Sequence, residues 1–373
     1  ARGATDFFVD IDNKPISIRI SADNRGSEFA GDGRARTAVR IANPGGAPIV
    51  LTAEGTTTTE LDERKSVRLQ AAYDLPAGDT RLSLRLSRTF ANLGGRVAES
   101  QFRTKSESIL FNVDHNFFRS RAHTINGGVS FERFYAQSVS NFGGVAVARE
   151  DFSDRTTTVQ ARLQYVYRDL PLIGGNGVAQ ASVTHGLDAL GAGAEIAGRR
   201  SRPDGEVDFT RFNFDWRHLW DLGHGLDLSL AAAGQRATTH LLASEEFGIG
   251  GARFGRAYDS SEYKGEHGVG FEARLGKTIR FEPDWAPTAR LYGFYSLAQV
   301  WDDDQTATED NAPSIATAGF GAAMNFQPID DGPTLTAFGE KAIPLTRRPN
   351  RLFSEKLKPR YIVGGTLTFD IDE

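Results

Sequence analysis

Apolar and polar side chains alternate with a period of two along many segments of the sequence. In RFNFDWRHLW, residues 211–220, every second residue from Phe212 to Trp216 is aromatic and the residues between them are polar. The same alternation recurs in residues 83–89, 158–167, 226–234 and 361–371. Successive side chains of a β-strand point to opposite faces of the sheet, so this period predicts strands with one apolar and one polar face.

The alternating segments are long for strands of a soluble protein. Strands of soluble proteins usually have about five or six residues, whereas a tilted strand needs roughly 9–11 residues to cross a membrane. No run approaches the roughly 18 apolar residues of a transmembrane helix, which excludes a helical membrane protein. About sixteen candidate strands follow one another, at residues 15–24, 34–44, 48–58, 63–75, 79–91, 103–116, 121–135, 155–168, 176–187, 208–220, 224–238, 265–280, 288–301, 312–326, 332–344 and 359–370.

Connections between these segments alternate in length. Short ones rich in Pro, Gly and Asp lie at residues 43–46, 74–79, 221–225 and 327–333. Longer polar stretches lie between them, at residues 23–33, 91–102, 136–154, 188–207, 239–264, 302–311 and 345–358. Short turns at one end of the strands and long loops at the other are typical of barrels in the bacterial outer membrane.

Aromatic residues near the predicted strand ends favour the same fold. They are Phe117, Phe118, Tyr165, Tyr167, Trp216, Trp220, Tyr292, Trp301, Tyr361 and Phe369. Aromatic girdles lie at both lipid interfaces of such barrels, although a soluble β protein could instead use these residues as its core. Closing the sheet removes the edges that long strands would expose. We therefore predict an all-β fold, a transmembrane antiparallel β-barrel of about sixteen strands.

The composition and the motifs do not indicate an enzyme. The chain has no cysteine, which excludes disulfide frameworks and thiolate metal sites, and its net charge of −5 argues against nucleic acid as a partner. GIGG at residues 248–251 does not continue as a dinucleotide-binding loop, because Arg253 stands at the third glycine position. The acidic segment 301–310 lacks EF-hand spacing, and we interpret it as a solvated loop. We predict no catalytic residue, no cofactor and no metal.

One glycine-rich stretch, EEFGIGGARFGRAYDSSEY at residues 245–263, lies between the eleventh and twelfth predicted strands. It has too many glycines for a helix interior and is too irregular for a strand. With the dinucleotide loop excluded, it is either a flexible solvent loop or a loop of fixed shape that directs one arginine at a partner.

This stretch resembles the sixth extracellular loop of two-partner secretion transporters, the haemolysin- and adhesin-exporting members of the POTRA-barrel superfamily. Those proteins carry a glycine pair followed by an Arg-Gly-aromatic tip, and here Gly250-Gly251 precedes Phe254-Gly255-Arg256-Ala257-Tyr258. Residues 20–31, 291–301 and 339–345 resemble the first barrel hairpin, the thirteenth strand and the penultimate strand of the family. The first residues resemble the last strand of a POTRA domain. The resemblance implies the end of a POTRA-like periplasmic domain at residues 1–13 and a barrel at residues 14–373.

The resemblance also implies a role for the loop. In the family the loop folds into the lumen as a lid, and its arginine pairs with the inner wall, so Arg256 is expected to do so here. Gly250, Gly251 and Gly255 would permit the fold-back, and Phe254 and Tyr258 would anchor it by burial.

Two positions of the site depart from the family pattern. Ala257 stands where the family usually has glycine, and Ser296 stands where it usually has aspartate. By strand phase Glu272 faces the lumen, so we expect Glu272 to pair with Arg256 and Ser296 to be a neutral hydrogen-bond neighbour. Phe369 fits the outward aromatic residue that barrel-assembly machinery recognises in last strands.

The function implied by the resemblance is export of an unfolded partner exoprotein through a channel gated by the sixth loop. The implied partners are that exoprotein, the lipid and lipopolysaccharide of the outer membrane, and the barrel-assembly machinery during biogenesis. Two other functions stay open at the level of the sequence. A solute-diffusion porin would have the same strand number and polar lumen, and an outer-membrane assembly factor or insertase would share the superfamily's loop.

Overall fold

The computed structural model describes residues 15–27, 29–60, 63–76, 78–94, 102–140, 149–170, 173–194, 199–282, 287–303, 313–327, 332–346 and 357–371. The expected POTRA-like end at residues 1–13 lies outside this set. Among the described residues, no helix has both the length and the apolar character needed to cross a membrane.

The described chain is almost entirely β-structure, apart from one short 3₁₀ turn at Pro44–Gly46. In chain order the strands are β1 (Ile16–Asp23), β2 (Arg34–Ala42), β3 (Ile49–Thr58), β4 (Arg64–Asp74), β5 (Thr80–Asn92), β6 (Arg103–Arg119), β7 (His123–Ser140), β8 (Arg149–Leu170), β9 (Gly174–Gly186), β10 (Gly193–Ala194), β11 (Thr210–Gly223), β12 (Leu226–Ala237), β13 (Phe247–Ile249), β14 (Tyr263–Gly265), β15 (His267–Arg280), β16 (Thr288–Trp301), β17 (Ser314–Phe326), β18 (Thr334–Pro344) and β19 (Arg360–Ile371).

Sixteen of these strands form the wall of a closed antiparallel barrel, which confirms the predicted fold. Each wall strand pairs with its neighbours along the chain, and β19 pairs with β1 to close the sheet. In that seam Ile16 lies opposite Ile371 and Asp23 lies opposite Gly364. The other three strands, β10, β13 and β14, are short segments within the connections.

The wall is taller on one side than the sequence indicated. Residues 136–154 were expected to form a loop, and that expectation is wrong at its two ends: β7 continues to Ser140 and β8 begins at Arg149, with Ser140 paired to Arg149. Residues 141–148, the middle of the expected loop, lie outside the described residues. In these extensions, residues 136–140 and 149–154, most residues are polar and the few apolar ones do not alternate with them, so the period of two disappears from the sequence. The backbone ladder continues because its hydrogen bonds do not depend on that pattern.

Exposed apolar side chains form a belt around the outside of the wall. Large examples include Val67, Leu69, Leu84, Leu86, Ile109, Phe111, Val129, Leu163, Phe212, Phe214, Val269, Leu275, Leu291, Leu297, Phe320 and Val363. On a soluble protein a contiguous belt of this kind would cause aggregation, whereas a lipid bilayer solvates it. The aromatic residues are therefore not the core of a soluble β protein.

Several aromatic residues meet at the short-turn end of the wall. Trp216 Nε1 donates to the hydroxyl of Tyr167 at 2.9 Å, and the His218 ring lies 3.9 Å from that of Trp220. Tyr292, by contrast, was wrongly placed with the outer aromatic residues. Its hydroxyl donates to Glu340 on the inner face of the wall, because β16 turns Leu291 and Leu297 outward and therefore turns the even-numbered residues inward.

Candidate functional site

The connection between β12 and β15 folds into a defined shape. Its two arms pair as β13 and β14, with Phe247 opposite Gly265 and Ile249 opposite Tyr263. At the tip, the backbone N–H of Gly250 donates to the carbonyl of Phe254 at 2.7 Å, and that of Tyr258 donates to the carbonyl of Gly255 at 2.9 Å. These bonds close the tip on itself. We call residues 239–264 the tip loop.

Two glycines at the tip cannot be replaced without strain. Gly250 has φ +105° and Gly255 has φ +94°, a region that residues with a Cβ rarely adopt. A Cβ on Gly255 would also collide with Ile315 of β17. Ala257, which departs from the family pattern, is not among the residues with positive φ, so alanine fits that position without strain.

Apolar side chains of the tip loop pack on one part of the inner wall. Phe254 is 2% exposed and Tyr258 is 1% exposed. Gly270 on β15 makes room for the Phe254 ring, since a Cβ there would collide with it. Full burial of one such side chain contributes about 1.5–3 kcal/mol. The wall residues of this buried cluster come from β12, β16, β17, β18 and β19: Ala233, Phe294, Ala298, Val300, Ile315, Ala342 and Ile362.

Arg256 extends from the tip to two carboxylates of the wall. Its Nη2 donates to both oxygens of Glu272 on β15, at 2.9 Å each, and its Nη1 donates to Oε1 of Glu340 on β18 at 2.7 Å. The guanidinium also lies 4.4 Å from the centre of the Phe294 ring on β16. The Arg256 side chain is 4% exposed, so water does not screen these contacts.

Further basic groups balance the two carboxylates. Arg274 Nη2 donates to Glu272 at 2.8 Å, and Arg25 Nη2 donates to Glu340 at 3.0 Å. The Tyr292 hydroxyl donates to the same Glu340 oxygen that Arg256 contacts, at 2.7 Å. Three guanidinium groups thus face two carboxylates in a buried site. Because each charge has a partner, the cost of burying the site is largely offset, but removing a single member would leave a charge without its partner.

Ser296 contacts the tip through the backbone. Its hydroxyl accepts a hydrogen bond from the N–H of Gly255 at 3.2 Å, and its β-ladder partner is Glu272. Tyr258 donates through its hydroxyl to the carbonyl of Thr346 at 2.8 Å. Arg360 of β19 donates to the carbonyl of Tyr258 at 3.2 Å and to that of Gly26 at 2.6 Å, so it links the tip to the β1–β2 connection.

The structure therefore brings Gly255, Arg256, Glu272 and Ser296 together, and it adds residues that sequence reasoning missed. The main one is Glu340. It lies in the segment that resembles the family's penultimate strand, in phase with Thr336 and opposite to the exposed Leu335. That phase marked Glu340 as an inward carboxylate. The sequence could not predict that Glu340 lies next to Arg256, because the loop and β18 are far apart in the chain.

A second charged cluster lies at the base of the tip loop. Arg202 contacts Glu246 at 2.8 Å, Glu266 at 3.1 Å and Asp302 at 3.4 Å. Burial by itself lowers the pKa of Arg202, but the neighbouring carboxylates outweigh it and raise the pKa overall. Burial raises the pKa of Glu246, against the opposing effect of Arg202.

The same cluster contains a group of side chains that could hold a cation. Ligand atoms of Asp204, His240 and Glu266 lie within 4.8 Å of one another. The Arg202 guanidinium already lies against Glu266 and Asp204 and supplies positive charge there. We therefore interpret Asp204, His240 and Glu266 as part of an ion-pair network with Arg202.

Phe369 lies in the last strand, away from the tip loop. It pairs with Ile18 across the seam between β19 and β1. It shares the phase of the exposed Tyr361 and Val363, so its side chain belongs to the outer face.

Comparison with known proteins agrees with this architecture. Residues 9–324 match the model of the haemolysin secretion/activation protein family ShlB/FhaC/HecB. The chain belongs to this family. Its members are two-partner secretion transporters, which are secretion channels of the bacterial outer membrane and not enzymes. A search of curated proteins found no match.

Solved structures of similar fold include two CdiB proteins and one BamA. CdiB from Escherichia coli has a TM-score of 0.78 and 15% identity, with 96% of this chain and 64% of CdiB covered. CdiB from Acinetobacter baumannii has a TM-score of 0.62 and 15% identity, with coverage of 95% and 60%. BamA from Haemophilus ducreyi lacking POTRA domains 1–3 has a TM-score of 0.61 and 13% identity, with coverage of 95% and 70%. This ShlB/FhaC/HecB-family chain therefore spans less than two thirds of either CdiB.

Proposed function

We propose that this barrel exports an unfolded partner exoprotein and that the tip loop occupies its lumen as a gate. The observation that carries the proposal is the pairing of Arg256 with Glu272 and Glu340, since it connects the loop to two separate strands of the wall. Membership of the secretion family favours protein export over solute diffusion.

The chemistry of the contact suits a gate that opens and closes. A buried ion-pair network contributes little net stability relative to the same groups in water, because its Coulombic attraction is offset by lost hydration. When the tip leaves the wall, Arg256, Glu272 and Glu340 regain water. The closed state is instead stabilised by the apolar packing of Phe254 and Tyr258 on the wall, which is lost when the tip leaves.

The rest of the inner face suits passage of an unfolded chain. Inward positions on the strands away from the tip are polar, and examples are Arg40, Thr52, Gln70, Arg85, Gln164 and Gln180. Polar groups of this kind offer few apolar contacts at which a translocating segment would be held. No nucleotide site is needed, since folding of the cargo outside the cell can bias its movement.

The test is conductance of the whole chain in planar bilayers, compared with a variant lacking residues 247–260. We expect small, flickering currents from the intact barrel and a large, stable pore from the deletion. Swelling of liposomes that contain the protein, placed in a solution of a small sugar, gives a second measurement of pore opening. We expect swelling with the variant lacking residues 247–260 and not with the intact barrel. Equal, large and steady conductance from both proteins would reject the gate and support a diffusion porin.

A further inference from the structure

Arginines recur on the inner face of the first five strands. Val67 on β4, Ile20 on β1 and Leu84 on β5 are exposed to lipid, so the residues that alternate with them face the lumen. On β2 the even-numbered residues face the lumen, because Ile41 lies opposite the lipid-exposed Leu51 of β3. We call the inward arginines the arginine track. They are Arg19 on β1, Arg34, Arg36 and Arg40 on β2, Arg64 and Arg68 on β4, and Arg81 and Arg85 on β5.

The arginine track extends through the thickness of the membrane. Arg64 begins β4, and Asp74, which ends that strand, lies opposite Arg81 of β5. The strand between these two ends is about 33 Å long, and the hydrocarbon core of a bilayer is about 30 Å thick. The registers of β2 with β3 and of β3 with β4 place Arg36 and Arg40 at heights between the two ends.

Carboxylates on the inner face of the same strands neutralise only part of this charge. Asp23, Glu54 and Asp74 are the inward acidic residues of β1–β5, so eight positive charges face three negative ones. Glu54 is shared by two arginines. The ion pairs are Asp23–Arg34 at 2.7 Å, Asp74–Arg81 at 2.6 Å, Glu54–Arg36 at 3.2 Å and Glu54–Arg68 at 3.3 Å.

Four members of the track have no carboxylate within ion-pair distance among the described residues: Arg19, Arg40, Arg64 and Arg85. The first three are exposed to the lumen. Arg85 donates to the amide oxygen of Gln70 at 3.2 Å, a contact that supplies no charge. Glu132 on β7 also faces the lumen, but Leu110 lies between it and Arg85 in the register. Positive charge on this side of the lumen is therefore uncompensated.

The tip loop leaves the arginine track uncovered. Its buried side chains pack on β12 and β15–β19, and none of these strands carries a track arginine. At the long-loop end, Arg34 and Arg64 line a cavity of about 790 Å³ together with Ser260 and Lys264 of the tip loop. A chain that passes between the tip loop and the opposite wall would therefore run along the track.

We propose that the arginine track guides acidic segments of the exported chain through the lumen. This inference rests on the export function proposed above and names the chemistry of its substrate. Side chains on one face of an extended segment repeat about every 7 Å, which is also the spacing of inward positions on a wall strand. Successive carboxylates can therefore meet successive guanidinium groups.

The strength of these contacts suits movement. A groove lined by one sign of charge concentrates the opposite charge within it. Ion pairs in contact with water are individually weak, so a chain attracted to many such sites can still move from one to the next. Arginine adds contacts between the carboxylates, because its planar fork can also donate to backbone carbonyl groups.

Charge selectivity of the open pore gives the first test. The intact chain during its openings and the variant lacking residues 247–260 are measured in planar bilayers with unequal KCl concentrations on the two sides. We expect chloride to permeate more readily than potassium. Arg40→Gln with Arg64→Gln and Arg85→Gln should lower the ratio of chloride to potassium permeability by about twofold or more. The matched control is Lys65→Gln with Lys277→Gln and Lys341→Gln, which removes three charges from the outer face and should leave the ratio unchanged.

Block of the pore by peptides tests the substrate class. The probes are three unstructured peptides of one length in which Ser alternates with Glu, Gln or Lys. We expect the Glu peptide to block the pore for about threefold longer than the Gln peptide, or more, and the Lys peptide to block it for less time than either. The three-arginine variant should remove the difference between the Glu and Gln peptides.

Equal blocking times of the Glu and Gln peptides, or an unchanged difference in the three-arginine variant, would overturn the proposal. Anion selectivity without discrimination between the peptides would also overturn it and would leave a path for small anions. Equal conductance of the intact and shortened chains would reject the gate alone, because blocking times can be measured on either pore. Heat-dependent electrophoretic mobility establishes folding. If the three-arginine variant does not fold, Arg40→Gln and Arg85→Gln are measured singly, and each should shorten the block by the Glu peptide.

Discussion

One nitrogen of Arg256, Nη2, lies 2.9 Å from both carboxylate oxygens of Glu272, and the other terminal nitrogen contacts Glu340. One side chain of the tip loop thus joins two strands of the wall that are not neighbours, β15 and β18. The position of the loop consequently depends on both strands at once.

Arg256→Ala should release the tip loop from the wall. The substitution leaves Glu272 and Glu340 buried with only part of their compensating charge, and loss of one member of a buried pair costs about 3 kcal/mol. We expect frequent, long openings in single-channel records. Arg253→Ala is the matched control, because Arg253 lies on the same loop, is 44% exposed and pairs with Asp215 instead. Similar records from both variants would show that any loop change opens the pore.

Glu340→Gln should open the channel more often than Ser296→Ala. Glu340 accepts hydrogen bonds from Arg25, Arg256 and Tyr292, so the neutral amide weakens three contacts at once. Ser296 accepts one bond from the backbone of Gly255, worth about 1 kcal/mol. Open probability in planar bilayers measures both effects. The order would be reversed if the backbone contact, and not the charge network, held the loop.

Gly255→Ala should disturb the tip, whereas Ala257→Gly should not tighten it. A Cβ at position 255 meets Ile315 and requires φ near +94°, at a cost of about 1–2 kcal/mol for the backbone alone. Position 257 lacks positive φ, so glycine gains nothing there. Protease cleavage within residues 245–263 measures how often the tip leaves the wall. Combining Gly255→Ala with Ile315→Ala should relieve the collision and keep the backbone cost.

Phe369→Ala should reduce the amount of folded protein in the outer membrane. The residue is on the outer face of the last strand next to Ile18, where assembly machinery would recognise it. Phe320→Ala is the control, because Phe320 is a 60% exposed aromatic residue on the outer face of β17. Heat-dependent mobility of membrane fractions measures folding. An equal loss with both variants would mean that apolar area alone matters and that Phe369 carries no assembly signal.

The strand number and the closed barrel could be predicted because lipid imposes the period of two along every membrane crossing. The heights of β7 and β8 could not, since no solvent difference marks their faces beyond the lipid and the pattern ends before the ladder does. Tyr292 lies near a strand end, which suggested an interfacial aromatic residue, but Leu291 and Leu297 occupy the outward positions of β16 and Tyr292 alternates with them. The alternation within β15 was enough to predict Glu272 as a partner of Arg256. Predicting Glu340 as the second partner would have required the position of the loop relative to β18, which depends on the whole barrel.

The pairing of β1 with β19 joins the two ends of the barrel's sequence. All other pairs of wall strands join neighbours along the chain, whereas β1 and β19 are far apart in sequence. This pair can therefore form only after the last strand has been made. Arg360 and Arg25 add contacts across the same junction, to Gly26 and to Glu340. A chain that stops before β19 therefore leaves two open edges in hydrocarbon, where unpaired amides are costly. The barrel can therefore close only after the whole series of wall strands from β1 to β19 has been synthesised, because the last strand supplies the hydrogen-bonding partner of the first.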